Sequence, residues 1–129
     1  MRTLTIILFL ILASDIFSQN TDNKVYITVD SLPEFIYQGC ENTQACIDLF
    51  FDTHKKWPPF QDYIKATIII QCIVEKNGKL TNFKILRGLE TLYDKESVEV
   101  LKNMPPWKPG EIKGKKVRTQ IIIRAKWEG

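Results

Sequence analysis

The stretch ATIIIQCIVEKNGKLTNFKILRG, residues 66–88, limits the possible folds more than any other part of the chain. It contains two runs rich in β-branched and aromatic residues that meet at Asn77 and Gly78. Because Asn-Gly readily adopts the positive φ angles of a type I′ turn, the sequence predicts a tight antiparallel hairpin. Ile69 and Ile73 make its outer face partly apolar, which predicts a covering helix or N-terminal segment. The side chains expected on its inner face are Ile68, Ile70, Cys72, Val74, Thr81, Phe83 and Ile85.

A long C-terminal strand is predicted from residue 117 onward. Apolar and polar side chains alternate there, which is typical of a strand with one buried face. Pro109, Gly110 and Gly114 turn the chain into this strand. The expected inner face carries Val117, Ile121, Ile123, Ala125 and Trp127. The expected outer face carries Arg118, Gln120, Arg124 and Lys126, with Ile122 as its one apolar member.

The segment before the hairpin predicts a first helix. Asn42 or Thr43 can cap its start, and apolar residues then recur at three- and four-residue spacing. These residues are Cys46, Ile47, Phe50, Phe51 and His54. The Trp-Pro-Pro sequence at 57–59 ends the helix after Lys56, because proline clashes with the preceding turn. We expect His54 to be a packed core residue and not a ligand.

A second helix is predicted after the hairpin. Thr91 with Asp94, or Asp94 alone, can cap its start, and Pro105-Pro106 ends it. Its inward side chains are expected to be Val98, Leu101 and Met104.

Together these elements predict an α+β fold. The hairpin and the C-terminal strand form a small antiparallel sheet, and the two helices pack on it. A short extended segment over residues 25–29 precedes them and ends before Pro33. The 129 residues are 44% hydrophobic and 26% charged, which fits one ordinary globular domain.

The first 18 residues have the features of a cleaved signal peptide. Arg2 precedes an apolar run, and Ser18 is a small residue at the expected cleavage point. A membrane anchor is the competing interpretation, but a spanning helix needs about 20 apolar residues and this run has roughly half that number. The predicted organisation is a signal peptide (1–18), a polar tail (19–24) and one domain (25–129).

Export would place the three cysteines in an oxidising compartment, where pairing is the default. Cys40 and Cys46 are close enough in sequence to close a small loop at the start of the first helix, so we predict a disulfide between them. Cys72 lies inside a predicted strand and is expected to be a small buried apolar residue. A catalytic thiol would need a neighbouring histidine, and His54 is the only histidine in the chain.

Several function classes find little support in the sequence. The net charge of +3 is too small to imply nucleic-acid binding. The chain offers no paired carboxylates with a plausible cleft, no metal-ligand cluster, no Ser/His/Asp set and no phosphate-binding glycine loop. A small secreted enzyme is therefore the weakest hypothesis, and we expect no cofactor, no metal and no small-molecule substrate.

The order of these elements resembles the C-terminal domain of the energy transducer TonB, particularly its Bacteroidetes forms. The resemblance runs from VYITVDSLPEF through VEKNGKLTNFKILRG to LYDKESVEVLKNMPPWKPGEIKGKKVRTQIII. Trp57-Pro58 stands for the family's aromatic-proline pair, Asn77-Gly78 for its turn, and residues 107–110 for its proline-glycine loop. The disulfide also resembles a cysteine pair of a flavobacterial branch. The family's transducers carry an uncleaved membrane helix and a long Pro/Lys-rich spacer, and the sequence predicts neither here.

The resemblance implies a binding function in the periplasm of a Gram-negative bacterium. Similar domains bind the TonB-box segment of outer-membrane receptors along their last strand, as an added strand. Residues 117–125 would then be the docking edge. The implied partner-binding residues are Arg118, Gln120, Ile122 and Arg124, with Trp107 and Pro109 of the preceding loop. Burial of Ile122 beneath the N-terminal segment is an equally weighted alternative.

A structural or interaction subunit is the alternative function. The same C-terminal edge strand would then pair with a second copy of the chain in a homodimer. The basic residues near this strand also have two interpretations, a solvated loop that discourages edge aggregation, which we favour, or a charge that steers an acidic receptor segment. They are Lys108, Lys113, Lys115, Lys116 and Arg118.

Overall fold

The computed structural model describes residues 22–59 and 64–128. The predicted signal peptide, part of the predicted polar tail and residues 60–63 lie outside the described residues. Seven elements follow one another along the described chain: β1 (Val25–Tyr26), α1 (Thr43–His54), β2 (Lys65–Val74), β3 (Leu80–Arg87), α2 (Thr91–Lys102), β4 (Gly110–Ile112) and β5 (Lys115–Glu128). The α+β class and the two helices are confirmed.

The sheet has the strand order β1-β5-β2-β3, and β4 pairs with the start of β5. β2 and β5 are antiparallel, with Lys65 opposite Glu128 at one end and Val74 opposite Thr119 at the other. This register runs without a shift, so every inward residue of β5 meets an inward residue of β2. β1 pairs with β5 in parallel, through Val25 with Arg118 and Tyr26 with Thr119, a contact that no sequence pattern predicts.

The β2–β3 hairpin is confirmed, but its turn type was predicted wrongly. Gly78 has a φ of +85°, whereas Asn77 does not have the positive φ that a type I′ turn requires. The Gly78 N–H donates to the Glu75 carbonyl and the Glu75 N–H donates to the Lys79 carbonyl. The loop is therefore a three-residue turn that ends in a left-handed glycine.

The type I′ geometry occurs instead between β4 and β5. Lys113 and Gly114 have φ angles of +51° and +75°, and they connect Ile112 directly to its partner Lys115. Asp30 stabilises this turn, because its carboxylate accepts a hydrogen bond from the Lys113 N–H. A side chain distant in sequence thus supports an unfavourable lysine conformation.

The helix boundaries follow the predicted signals closely. The Asn42 side chain accepts a hydrogen bond from the Ala45 N–H and caps α1, as predicted. α1 ends at His54, two residues before the predicted end. The predicted cap of α2, Thr91 with Asp94 or Asp94 alone, is wrong: the cap is Glu90, which makes no side-chain capping bond. The Asp94 carboxylate instead accepts a hydrogen bond from the Leu89 N–H just before the helix.

The core lies between the helices and one face of the sheet. Trp127 is at its centre, with its ring edge-on to those of Phe51, Trp57 and Tyr93 at centroid distances of 5.4, 5.1 and 4.9 Å. The Trp127 indole N–H donates to Ser97 Oγ at 2.9 Å, which satisfies a buried donor. The predicted inward residues of β5 are confirmed, with Ile121 only half-buried.

The predicted positions of two side chains, His54 and Thr81, are wrong. His54 is exposed, although its ring stacks on Phe50 at 4.0 Å and its Nδ1–H donates to the Phe50 carbonyl. Thr81 is not on the inner face, because it pairs with Ile73 of the outer face. β3 contains a residue with positive φ, Asn82, and the irregularity there changes which side chains point inward.

Candidate functional site

β5 has an unpaired stretch, which we call the open edge and define as the edge of Gln120–Ala125 that faces away from β2. Within residues 22–59 and 64–128, no strand pairs with β5 along this stretch on that side. A strand edge of this kind presents main-chain N–H and C=O groups that have no partner in a sheet. The open edge is therefore the part of the sheet that can accept another strand.

Each end of the open edge is bounded by another part of the chain. At its start, β1 pairs with Arg118 and Thr119. At its end, the Lys126 carbonyl accepts a hydrogen bond from Lys55 Nζ at 3.4 Å. Lys55 is held there by three aromatic rings and by Asp52, whose carboxylate is 2.6 Å from Nζ. The predicted docking edge, 117–125, is thus open only over its last six residues.

The side chains of the open edge alternate in exposure. Ile123 and Ala125 are fully buried against the helices. Gln120, Ile122 and Arg124 point to the other face of the sheet, and Ile122 is 59% exposed. Among the described residues, the N-terminal segment does not bury Ile122.

Arg118, the first of the predicted binding residues, is engaged within the chain. Its Nε and Nη2 donate to the two carboxylate oxygens of Glu75 at 2.7 and 3.0 Å. Its Nη1 donates to the Asn23 carbonyl at 3.0 Å, which ties the N-terminal segment to β5. These hydrogen bonds from Arg118, with a further one from the Thr81 hydroxyl, hold the pKa of Glu75 below its ordinary value.

The segment before β1 is ordered by its own polar contacts. The Tyr26 hydroxyl donates to the Asp22 carboxylate, and this bond, with a smaller contribution from the Lys24 N–H, lowers the pKa of Asp22. Lys76 Nζ donates to the Asp22 carbonyl from the β2–β3 turn. β1 is therefore fastened at the beginning of the open edge by β5 and by the hairpin.

Trp107 and Pro109 are buried and do not line the open edge. The Trp107 ring lies 5.3 Å from Phe35, and its main-chain N–H donates to the Gly78 carbonyl at 2.8 Å. Its indole N–H is buried and has no hydrogen-bond partner among the described residues. The structure thus groups Gln120, Ile122 and Arg124 at the open edge and separates these two loop residues from them.

The predicted disulfide between Cys40 and Cys46 is confirmed. It joins residues 27–42 between β1 and α1, which we call the lead-in segment, to the first turn of α1. Cys72 is fully buried in β2, as predicted, and burial raises the pKa of its thiol to about 12. At neutral pH that thiol is therefore uncharged, and the thiol is a poor nucleophile.

The basic residues of the β4–β5 hairpin are solvent-exposed. Lys113 lies in the turn, and Lys115 and Lys116 open β5. Lys108 is exposed in the loop, where its main chain bonds to Glu34 in both directions. Four of the five basic residues are thus in solvent, and the fifth, Arg118, is paired with Glu75.

Sequence reasoning missed the two residues that set the limits of the open edge. Tyr26 pairs with a strand that lies more than ninety residues later in the chain, and Lys55 reaches a main-chain atom of β5. Neither contact has a local pattern. The one available signal was the alternation of Val25, Ile27 and Val29, which predicts an extended segment but names no partner.

The described residues contain no group of three or more His, Cys, Asp or Glu side chains arranged to hold a metal ion. None of the helices in this part of the chain has the length and apolar character needed to cross a membrane.

Comparison with known protein families places the C-terminal part of the chain in a family. The family model for the C-terminal domain of the Gram-negative bacterial TonB protein matches residues 61–128, just over half of the chain. Neither an individual curated protein nor a solved structure matched significantly. The matched family consists of non-enzymatic, periplasmic-type domains that interact with outer-membrane receptors and serve transport across the outer membrane. The chain belongs to the TonB C-terminal domain family.

Proposed function

We propose that this chain is a periplasmic domain that binds the TonB box of outer-membrane transporters as an added strand along the open edge. The observation that carries the proposal is the unpaired main chain of Gln120–Ala125 beside a long, regular β2–β5 ladder. Family membership supports the class of partner. The position of the edge at the last strand supports the mode of binding.

Strand addition suits this edge for a physical reason. The open edge belongs to a strand whose other side is held by β2 without a register shift, so its main-chain groups are already arranged for pairing. A peptide that adds there gains main-chain hydrogen bonds without a rearrangement of the domain. The fully buried Ile123 and Ala125 on the helix side keep the strand rigid.

β1 supports a parallel orientation for the bound peptide. β1 already pairs with β5 in parallel, immediately before the open edge. A parallel peptide would continue the line of β1 from about Gln120 onward. An antiparallel peptide would direct its C-terminal end toward Tyr26. We therefore place the N-terminal end of the bound TonB box next to β1.

A titration with synthetic TonB-box peptides from transporters of the same genome tests this function. Isothermal titration calorimetry with the purified protein should show saturable binding. The same peptide with N-methyl groups on alternate main-chain nitrogens should lose most of this binding in one of the two alternating sets only, because a strand exposes every second N–H to its neighbour. Equal binding by both N-methylated sets would exclude strand addition.

Homodimerisation through the open edge is the competing function. The exposed Ile122 side chain supports it, because pairing with a second copy would remove apolar surface from water. Sedimentation velocity across a wide range of protein concentration separates the two. A mass that stays monomeric and does not change with concentration supports the peptide-binding proposal. A concentration-dependent dimer whose peptide affinity falls as the dimer forms would assign the open edge to self-association.

A further inference from the structure

The strand registers place three cations on one face of the sheet, one of them on the open edge and two on β3. Arg124 of β5 and Arg87 of β3 both pair with Ile69 of β2, one from each side. In the next row of the same face, Ile122 of β5 and Lys84 of β3 both pair with Gln71. Directly opposed residues in neighbouring strands point to the same side, so these side chains share the face turned away from the helices.

This outer face has unbalanced charge. Arg124, Arg87 and Lys84 are all exposed, and none of them forms an ion pair with any residue in 22–59 or 64–128. Glu75, which directly follows β2, is already bonded to Arg118. Glu128, at the end of β5, lies opposite Lys65 of β2. At the other end Lys126 is paired with Asp48 of α1 at 3.4 Å. The three cations therefore produce a positive potential that the described chain does not neutralise.

The geometry points to a rule for the partner, and this inference rests on the proposed function. We propose that the segment bound at the open edge carries an acidic side chain where it pairs with Arg124 and an apolar side chain where it pairs with Ile122. These two positions are two residues apart in the partner, whichever direction it runs, because side chains of a strand alternate between faces.

Each part of this rule has its own physical cause. A carboxylate opposite Arg124 is about 5 Å away at Cβ, within reach of a cross-strand ion pair. An apolar side chain opposite Ile122 covers a side chain that is 59% exposed and removes apolar surface from water. Arg87 and Lys84 both lie on β3, which is separated from β5 by β2, so they act through the electrostatic field that attracts the acidic segment and not through contact.

A position scan of one peptide tests the rule. The probe is a TonB-box peptide that binds, rebuilt with neutral side chains, in which a single Glu is moved one position at a time. We expect one position to bind roughly 2- to 5-fold more tightly than the neutral parent, as for a cross-strand ion pair. The Arg124→Gln variant should lose this preference, so that it binds the Glu peptide no more tightly than it binds the neutral parent. The Arg124→Glu variant should prefer a Lys at the same position.

Variants of Arg87 and Lys84 test whether these cations act on the peptide through long-range electrostatic attraction or through direct contact. Arg87→Gln and Lys84→Gln should lower the association rate for the Glu peptide at low salt, and the difference should fade at high salt. Lys95→Gln is the matched control, because Lys95 is an exposed cation of α2 on the opposite side of the sheet; it should change neither rate. Equal losses in Lys95→Gln would show a general charge effect and overturn the assignment to this face.

Three further outcomes test the pairing rule and the proposed function. If the neutral parent binds but its affinity is the same wherever Glu is placed, the rule is wrong and the proposed function stands. If no TonB-box peptide binds at all, the proposed function fails and the rule with it. If vesicles of phosphatidylglycerol and phosphatidylcholine bind through Arg124 and Arg87 while the peptide scan is flat, the outer face serves a lipid surface and the rule is overturned.

Discussion

At the scale of a single residue, Ser97 is important because it accepts the hydrogen bond of the one polar group in the Trp127 side chain. The indole N–H donates to Ser97 Oγ, and Ser97 in turn donates to the Tyr93 carbonyl from a fully buried position. Ser97→Ala should lower the free energy of unfolding by about 1–3 kcal/mol, since it leaves a buried donor unsatisfied. Urea denaturation measures this loss. Ser31→Ala, at an exposed serine, is the control and should cost far less.

Glu75 gives the fold a pH dependence through a single carboxylate. Its pKa is lower in the folded protein than the ordinary value of 4.5, chiefly because Arg118 donates hydrogen bonds to it. Its stabilising contribution is therefore complete above the unfolded pKa and is lost as the pH falls through the folded pKa. Glu75→Gln should reduce stability at neutral pH and make the loss of stability below pH 4.5 shallower.

Urea unfolding from neutral pH down to about pH 3 measures this dependence. The difference between wild type and Glu75→Gln should shrink as the pH falls. If the difference in the free energy of unfolding stayed constant over that range, ionised Glu75 would gain no stabilisation from its ion pair with Arg118. Exchange of the Tyr26 and Thr119 amides should also become faster in the variant, because Arg118 would hold Asn23 less well.

At the scale of elements, the β2–β3 hairpin and the loop between α2 and β4 depend on close contact between Gly78 and Trp107. A Cβ at Gly78 would lie 2.2 Å from the Trp107 carbonyl oxygen, whereas a Cβ at Gly114 would have no heavy atom within 4 Å. Both glycines have positive φ, so alanine at either costs about 1–2 kcal/mol in backbone strain. Gly78→Ala should cost clearly more than Gly114→Ala in thermal or urea unfolding. Equal costs would mean that the loop at Trp107 moves away freely.

The disulfide stabilises the start of α1. It closes a loop between cysteines six residues apart, for which chain entropy predicts about 2 kcal/mol of stabilisation. Replacing both Cys40 and Cys46 with Ser should therefore lower the urea midpoint without a change in the peptide affinity of the open edge, since neither cysteine lies on β5. A parallel loss of peptide affinity would indicate that the lead-in segment positions the open edge.

How far the sequence predicts the elements depends on how local their causes are. The α1 cap at Asn42, the hairpin and the alternation of β5 arise from neighbouring residues, and all three are confirmed. The turn at Asn77-Gly78 was predicted with the wrong type, because the preferred turn of a dipeptide yields to the packing of Gly78 against Trp107. His54 has helical spacing with the core residues but lies at the end of α1, where the core no longer covers it.

At the scale of the whole molecule, contacts between distant segments decide what the sheet can bind. The sequence predicted β5 as a strand and a docking edge, but nothing near Val25 or Tyr26 specifies that they pair with its first residues. The register that sets Arg87, Ile69 and Arg124 in one row is likewise visible only after three strands have come together. The location of the open edge is therefore a product of the fold and not of a motif.

The central claim is that Gln120–Ala125 accepts a partner strand. The most direct measurement follows backbone amides by NMR while a TonB-box peptide is titrated into the protein, together with amide exchange in both states. The account predicts saturable shifts concentrated at residues 120–125, new protection at alternate amides there, and little change along the β2–β3 hairpin. Amides of 120–125 that are already protected in the free protein, or that show no change at millimolar peptide, would contradict it.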